Sequence, residues 1–359
     1  MNSRRNVLLG VALLAPACVP VIAEIGDDDD DEVIVDTGGS DTDTDADTDA
    51  DVDSDTDTDT DTDTDTELDP PVDYDCSAPL DFNLGDRTLD HARGYHGLAF
   101  DTEGWLIGWD GRQTLVKADY EDVREPWVPG QWGVEQIARD EETGDYFVAK
   151  SDDGTVVRIS PTGAETIIAQ GFYWIYGVTI GPDGMLYVSD GDVYRVDPDT
   201  GEKTMLAQRP EDDAWFSHNV GFNLDSTILY VGTIAGGDLL AIDLDEALDP
   251  VSEPYVFASL PGDWMDTVSV DACGYLWVPE YWTSGLYRIS PDGEVSESML
   301  DQSETRYGHG AVWGRGVGGW RPDAIDMPEP YNNFKVREII IGIPDGNRVR
   351  TWNGELVGR

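Results

Sequence analysis

Residues 177–198 read GVTIGPDGMLYVSDGDVYRVDP, and this stretch holds the structural unit on which the rest of the chain is built. Apolar runs at 177–180, 185–188 and 193–196 are rich in β-branched and aromatic residues, and Gly, Pro and Asp separate them. Such alternation of short apolar runs with turn residues predicts three antiparallel strands joined by tight turns.

The same unit recurs along the chain. Aligned apolar positions recur at spacings of 39, 41, 42, 48 and 43 residues, and they are Leu98, Ile137, Val178, Val220, Val268 and Ala311. A repeat of that length with several strands is typical of a β-propeller blade, and no amphipathic helical pattern of useful length competes with it. The sequence therefore predicts an all-β fold, a six-bladed β-propeller.

The sixth copy is the least regular. Residues 314–333 are a long segment rich in Gly and Pro, which we expect to be an excursion from the blade. Residues 336–343 and 348–352 are expected to supply the outer strands of this blade. A strand from the start of the domain is a further candidate for closing the ring.

Acidic residues dominate the charge of the chain and are unevenly placed. The 359 residues include 74 acidic and 22 basic ones, for a net charge of −52, which excludes ordinary nucleic-acid binding. Between Glu24 and Asp75 lie 25 acidic residues and no basic one. Because adjacent carboxylates repel and Asp is a poor strand former, residues 19–75 are predicted to be a disordered acidic linker. A calcium-binding repeat is the alternative, but the run at 41–66 lacks the internal Gly turn of calcium loops.

The first 18 residues resemble a bacterial lipoprotein signal. A short basic start precedes an apolar run at 7–15 that is too short to span a bilayer, and the segment ends at Cys18. The resemblance implies lipidation of Cys18, a location in the bacterial cell envelope, and membrane contact through the lipid alone; a plain secretory signal is the alternative. Residues 76–359 then form the propeller, which we expect to be monomeric.

Two cysteines remain after Cys18. Cys76 opens the domain and Cys273 lies in a predicted turn of the fifth blade. Outside the cytoplasm such a pair tends to form a disulfide bond, and two buried thiols are the alternative.

One column of the repeat carries groups able to bind a metal or transfer a proton. The residues two positions before the aligned apolar ones are His96, Glu135, Tyr176, His218, Asp266 and His309. Three of the four histidines of the chain fall in this column. In a propeller the inner strands line the axis, so we expect these side chains to form a ring at one mouth of the central channel.

Imidazole and carboxylate ligands together suit a divalent ion such as zinc or manganese better than calcium. We predict His96, His218, His309 and Asp266 as metal ligands, and Glu135, Tyr176 and Asp266 as catalytic groups. Because metal–nitrogen bonds are about 2 Å long, imidazoles that share one ion lie within ~7 Å of one another. The alternative is a hydrated channel lined by polar residues.

Aromatic residues precede several of the inner strands. Trp174, Trp215 and Trp264 are predicted to form a rim that stacks against a sugar, aromatic or peptide ligand. The alternative is that such rings wedge between neighbouring blades.

The repeat motifs resemble a known family. Residues 181–188 and 270–278 are similar to repeats of the regucalcin/gluconolactonase superfamily of six-bladed propellers, and to the related NHL-repeat and streptogramin-lyase propellers. Gluconolactonases hold an axial divalent metal with a Glu, two Asn and an Asp. The resemblance implies that Asp266 stands at the position of that Asp, whereas His96 replaces the Glu and His218 an Asn. A His-rich axial site is more similar to the propeller lyases.

Two functions from different classes follow. The first is a lipid-anchored, metal-dependent hydrolase or lyase that acts on a small ester, lactone or peptide-like substrate. The second is a non-catalytic propeller that binds a small molecule or an envelope protein. Because this fold is shared by proteins of many functions, it does not distinguish the two hypotheses. The chemistry of the axial site has to distinguish them.

Overall fold

The computed structural model describes residues 75–77, 80, 85–211, 215–296, 298, 300 and 307–346. Within these ranges the chain forms six antiparallel sheets, and the prediction of an all-β, six-bladed propeller is confirmed. The predicted signal segment, and all of the predicted linker except Asp75, lie outside the described residues.

The first strand, β1 (Asp86–Leu89), belongs to the last blade, and the four following blades are built in chain order. Blade I contains β2 (Ala99–Phe100), β3 (Leu106–Trp109), β4 (Thr114–Ala118) and β5 (Arg124–Pro129). Blade II contains β6 (Val134–Arg139), β7 (Tyr146–Lys150), β8 (Thr155–Ile159) and β9 (Glu165–Gln170). Blade III contains β10 (Gly177–Ile180), β11 (Leu186–Ser189), β12 (Val193–Val196) and β13 (Lys203–Ala207). Blade IV contains β14 (Ser217–Phe222), β15 (Ile228–Thr233), β16 (Asp238–Asp243) and β17 (Tyr255–Ser259).

The last two blades are less regular. Within the described residues blade V contains β18 (Ser269–Val270), β19 (Leu276–Glu280) and β20 (Gly285–Ile289). Blade VI contains β21 (Val312–Trp313), β22 (Ala324–Glu329), β23 (Lys335–Ile340) and then β1. The ring therefore closes with the first described strand paired to the last one.

The closing sheet corrects part of the expectation for blade VI. Strand β1 pairs antiparallel with β23, so the start of the domain supplies the outermost strand. The segment at 314–333, expected to be an excursion, contains the whole of β22. Asp326 and Pro328 interrupt the apolar pattern of that strand, yet it is buried and pairs along its full length with β23. Residues 348–352 lie outside the described part of the chain.

Hydrophobic cores lie between neighbouring blades. In one of them Phe147 and Val156 of blade II pack with Val178 and Leu186 of blade III. The same arrangement holds for the other pairs of neighbours, including blades VI and I, so six such clusters fill the ring. Burial of apolar area between blades is the main force that fixes how the inner strands face the axis.

Two glycines bring the inner strands close together at the mouth of the channel. A Cβ on Gly97 would lie 2.5 Å from the backbone nitrogen of Ile137, and one on Gly310 would overlap the carbonyl oxygen of His96. The amide of Gly97 also donates to the carbonyl oxygen of Glu135 at 2.7 Å. Only glycine permits this approach, which places neighbouring members of the predicted ring side by side.

Cys76 and Cys273 are joined by a disulfide bond, with their Cα atoms 5.6 Å apart. Cys273 lies in the turn between β18 and β19, so the bond ties the start of the domain to blade V across 197 residues of sequence. Among the described residues there is no helix long and apolar enough to cross a membrane.

Candidate metal centre

Three buried imidazoles meet at the mouth of the channel. The rings of His96 and His309 are stacked with centroids 4.1 Å apart, and His96 lies edge-on to His218 at 5.5 Å. All three side chains are almost fully buried. Both distances fall below the ~7 Å limit for rings that share one ion.

Each of these rings has an acceptor behind it. The Nδ1 atom of His96 lies 2.7 Å from a carboxylate oxygen of Glu135, and that of His309 lies 2.7 Å from Oδ2 of Asp266. The Nδ1 atom of His218 lies 2.6 Å from the carbonyl oxygen of Met265. Carbonyls and carboxylates only accept hydrogen bonds, so Nδ1 is the donor in His218 and His309, whereas Nδ1 of His96 forms an ion pair with the Glu135 carboxylate.

The consequence is that Nε2 of each neutral ring keeps its lone pair. For His218 and His309 that atom is buried and has no hydrogen-bond partner within the described part of the chain. An orphaned buried acceptor costs free energy unless something binds to it. Imidazoles held through Nδ1 by a carboxylate or carbonyl, with Nε2 directed elsewhere, are the usual arrangement of metal-binding histidines.

The donor set fits a divalent ion. His96, Asp266 and His309 each offer a ligand atom, and these three atoms lie within 4.8 Å of one another. Zinc and manganese accept nitrogen together with carboxylate oxygen, whereas calcium prefers an all-oxygen shell. His96 and His309 would hold the ion, with Asp266 close enough to join them or to orient His309, and His218 lies beside them with its ring 5.5 Å from that of His96.

The protonation of the ring follows from burial and from the two carboxylates. Burial lowers the pKa of His218, and burial together with the neighbouring His96 lowers the pKa of His309 to about 4. Burial also acts to lower the pKa of His96, but the Glu135 carboxylate and then Asp266 outweigh it and raise that pKa. Burial alone would raise the pKa of Asp266, yet the surrounding histidines hold it well below its usual range. His218 and His309 are therefore neutral near pH 7, the form that a metal ligand needs.

The three residues predicted to be catalytic take different places. Glu135 and Asp266 stand behind histidines, so the structure gives each of them a partner to orient. The ring of Tyr176 is buried against His218, with centroids 4.6 Å apart. This ring contact makes Tyr176 the candidate proton donor beside the histidines.

The three tryptophans predicted for the rim also differ. Trp174 is 36% exposed and stacks on Tyr176. Trp264 is half-buried, with its ring 6.3 Å from that of His218. Trp215 packs against the core between blades III and IV, which is the wedging role considered as its alternative.

Other residues of the site were missed. Oγ of Ser151 donates to Oε1 of Glu135 at 2.5 Å, Tyr95 stacks on His96 at 4.5 Å, and Tyr281 lies 4.9 Å from His309. Ser151 and Tyr281 directly follow the second strands of their blades. Aligning the residues after these strands, as was done for the inner ones, would have brought both to notice.

Comparisons with known proteins agree with this architecture. The crystal structure of a gluconolactonase from Xanthomonas campestris has a TM-score of 0.57 at 14% identity, over 72% of this chain and 89% of that chain. A calcium-binding regucalcin from Agrobacterium tumefaciens has a TM-score of 0.55 at 17% identity, over 73% and 95%. Virginiamycin B lyase from Staphylococcus aureus has a TM-score of 0.51 at 14% identity, over 71% and 97%. At these identities the likeness establishes the fold alone.

No curated protein sequence matches the chain. The family model described as SMP-30/Gluconolactonase/LRE-like region matches residues 166–300, which run from blade II through blade V. The resemblance inferred from the repeat motifs is thereby confirmed over that part of the chain. Residues 166–300 of this six-bladed propeller are thus similar to the SMP-30/Gluconolactonase/LRE-like region.

Proposed function

We propose that the protein is a divalent-metal-dependent hydrolase that opens small esters or lactones at the axial site. The observation that supports this most directly is the orientation of the three buried imidazoles. Nδ1 of each faces an acceptor on a neighbouring blade, and Nε2 of His218 and His309 is buried without a hydrogen-bond partner in the described part of the chain. A merely hydrated channel does not require three buried histidines to be held in the same way.

Zinc or manganese is the expected ion, because the ligands offered are nitrogen-rich. Bound there, such an ion would polarise a carbonyl group and lower the pKa of a water molecule. Asp266 accepts the hydrogen bond from Nδ1 of His309, which keeps the Nε2 lone pair of that ring available, and Glu135 forms an ion pair with His96. Tyr176, whose ring lies 4.6 Å from that of His218, would give a proton to the departing alcohol oxygen as the ester bond breaks, and the proton lost by the attacking water would restore the Tyr176 hydroxyl.

The family match over residues 166–300 supports lactone chemistry on this scaffold. A lyase is the second candidate, and the observation that favours it is the histidine-rich ring, which differs from the Glu, Asn and Asp set implied by the resemblance to gluconolactonases. The two reactions differ in their products, since a hydrolase adds water and a lyase forms a double bond. Mass spectrometry of the products distinguishes them.

The test is hydrolysis of a panel of small lactones and esters by the full chain. We expect activity that a chelator removes and that zinc or manganese restores. His218→Ala should abolish the activity. His91→Ala is the matched control, because His91 is the one histidine outside the ring and its side chain is 67% exposed; this variant should keep the wild-type rate.

The competing function is a propeller that binds a small molecule or an envelope protein without catalysis. It predicts no metal-dependent turnover, and it predicts that His218→Ala binds the ligand as well as wild type. Metal-dependent turnover lost in His218→Ala and kept in His91→Ala would exclude it.

The location of the protein rests on its first 18 residues alone. A lipid on Cys18 would anchor the propeller to a bacterial membrane, and the acidic linker would hold it at a distance. Cys18→Ser should move the protein from the membrane fraction to the soluble fraction and abolish incorporation of a labelled fatty acid. Unchanged fractionation and labelling would contradict the anchor.

A further inference from the structure

One side of the mouth is built from contacting aromatic rings, which we name the aromatic wall: Trp264, Tyr281, Trp282, Tyr307 and Tyr331. Tyr281 is its centre, with its ring 4.9 Å from His309, 5.3 Å from Trp264 and 4.8 Å from Tyr307. Tyr331 lies 5.3 Å beyond Tyr307, and Trp282 lies 6.3 Å beyond Trp264. The wall thus runs without a break from the buried imidazole of His309 toward solvent.

The outer rings of the wall are open to a ligand. Trp282 is 54% exposed, Tyr331 51% and Tyr307 38%. Large aromatic side chains that reach solvent side by side form the kind of apolar patch that marks a binding site rather than a random surface.

The backbone of this region is strained. Eight non-glycine residues among those described have left-handed φ angles, and five of them belong to the wall or its adjoining loops. These five are Trp264, Ser284, Tyr307, Asn333 and Phe334. A left-handed φ is unfavourable for bulky residues such as Trp264 and Tyr307, so the surrounding structure must hold them in it. Such strain concentrates where side chains are held in position for a ligand.

Several backbone amides and side chains beside the wall are already engaged. The Glu280 carboxylate accepts from the amides of Trp282 and Thr283 at 2.8 and 2.7 Å. Oγ of Ser284 accepts from the amide of Tyr307 at 3.1 Å, and Nδ2 of Asn332 donates to the Glu329 carboxylate at 2.7 Å. A ligand on this surface therefore meets the ring faces and edges of one row of contacting aromatic side chains, rather than free backbone amides. Offset stacking and edge-to-face contact with such rings suit a planar aromatic group.

We infer that the substrate of the axial site carries an aryl group that stacks on the aromatic wall, with its ester or lactone carbonyl beside the histidines. This rests on the proposed function, which it deepens by naming the substrate class. The wall covers blades V and VI only, so it also fixes the direction in which the substrate enters, with the aryl group toward Tyr331 and the carbonyl toward His309.

A matched pair of lactones tests this with the full chain. Dihydrocoumarin and δ-valerolactone share a six-membered lactone ring, and only the former has a fused benzene ring. Trp282→Ala and Tyr331→Ala should lower the ratio of kcat/KM for dihydrocoumarin to that for δ-valerolactone by about 3- to 10-fold, mainly through KM. Comparing variants by this ratio cancels the greater intrinsic reactivity of the aryl ester.

Tyr173→Ala is the control, since Tyr173 is 73% exposed on blade III and lies outside the wall; it should leave the ratio as in wild type. An unchanged ratio in Trp282→Ala and Tyr331→Ala, with both lactones hydrolysed, would overturn the wall while the proposed function stands.

Failure of the proposed function has a different signature. If wild type hydrolyses neither lactone, equilibrium binding of chroman, the non-hydrolysable ether analogue of dihydrocoumarin, decides the matter by tryptophan fluorescence or calorimetry. Binding that weakens in Tyr331→Ala and not in Tyr173→Ala supports the wall without the reaction. Absence of chroman binding to wild type overturns it.

Discussion

The propeller buries two aspartates at similar depth and treats them in opposite ways. Asp266, at the axis, is 1% exposed and accepts a hydrogen bond from His309, whereas Asp326, between blades VI and I, is fully buried and neither of its carboxylate oxygens has a hydrogen-bond partner within the described residues. Glu338 lies directly opposite Asp326 on the neighbouring strand. The pKa of Asp266 is held well below its usual range by the histidines, while burial and then Glu338 raise that of Asp326 well above it.

The difference shows that burial alone does not create a functional carboxylate. Desolvation acts on both groups in the same direction, toward the neutral acid. At the axis the neighbouring histidines reverse it, so Asp266 keeps its charge although it is buried. At the interface of blades VI and I no neighbouring group outweighs desolvation. The Asp326 carboxyl group, opposite Glu338, therefore keeps its proton to a higher pH than usual.

The largest effect that separates the two regions is on metal binding. Asp266→Asn keeps the size of the side chain but removes the charged acceptor behind His309, so we expect metal affinity to fall by about 10- to 100-fold. Competition with a chromophoric chelator measures this. Asp326→Asn is the matched control and should bind the metal as wild type does; equal losses in the two variants would erase the distinction between the regions.

The next effect is on stability and pH. The pKa of Asp326 is higher in the folded protein than in the unfolded chain. The contribution of this carboxyl group to the free energy of unfolding is therefore fully present below its pKa in the unfolded chain, and it is lost as the pH rises through its pKa in the folded protein. The free energy of unfolding should therefore fall as the pH rises above the ordinary pKa of an aspartate, by about 1.4 kcal/mol for each unit of pKa elevation. Urea unfolding at several pH values measures the slope.

Asp326→Asn should remove much of that slope, since the amide does not ionise. Asp199→Asn removes a carboxylate from a side chain that is 86% exposed, and it should leave the slope unchanged. The same slope in wild type and Asp326→Asn would show that the buried acid pair is not the source.

The smallest effect concerns the support behind Glu135. Ser151→Ala removes the hydrogen bond from Oγ to Oε1 of Glu135, worth about 1 kcal/mol, and we expect metal affinity to fall about fivefold. Ser259→Ala removes an equally short hydrogen bond to Asp238 on the outer strands of blade IV. Ser259→Ala is the control and should leave the metal affinity unchanged. A fall in metal affinity in this variant would mean that removing any serine-to-carboxylate hydrogen bond affects the site indirectly.

The sequence predicted which side chains meet at the axis, but it did not predict what each of them does there. His96, His218 and His309 were predicted to meet because each occupies the same position of a repeat, and blade symmetry converts that position into a place on the axis. That Glu135 and Asp266 stand behind histidines depends on side-chain geometry between neighbouring blades, which the repeat does not encode.

The aromatic wall was largely missed for a related reason. Tyr281 and Tyr331 lie in loops after second strands, and left-handed residues such as Trp264 and Tyr307 set the course of the neighbouring backbone. Loops of this kind differ from blade to blade, so periodicity carries no information about them. Strand β22 was missed because pairing along β23 stabilises a segment whose own composition, with Asp326 and Pro328, argues against a strand.

The most direct test is a titration of the full chain with Co²⁺, followed by visible absorption. Cobalt held in a four-coordinate site absorbs strongly in the visible, whereas six-coordinate cobalt bound weakly to exposed carboxylates, such as those of the acidic linker, does not. We expect a signal that saturates at one ion per chain in wild type and in His91→Ala, and that is lost in His218→Ala and His309→Ala. A wild-type chain without this signal, or a signal that persists in both ring variants, would contradict a shared metal at the axis.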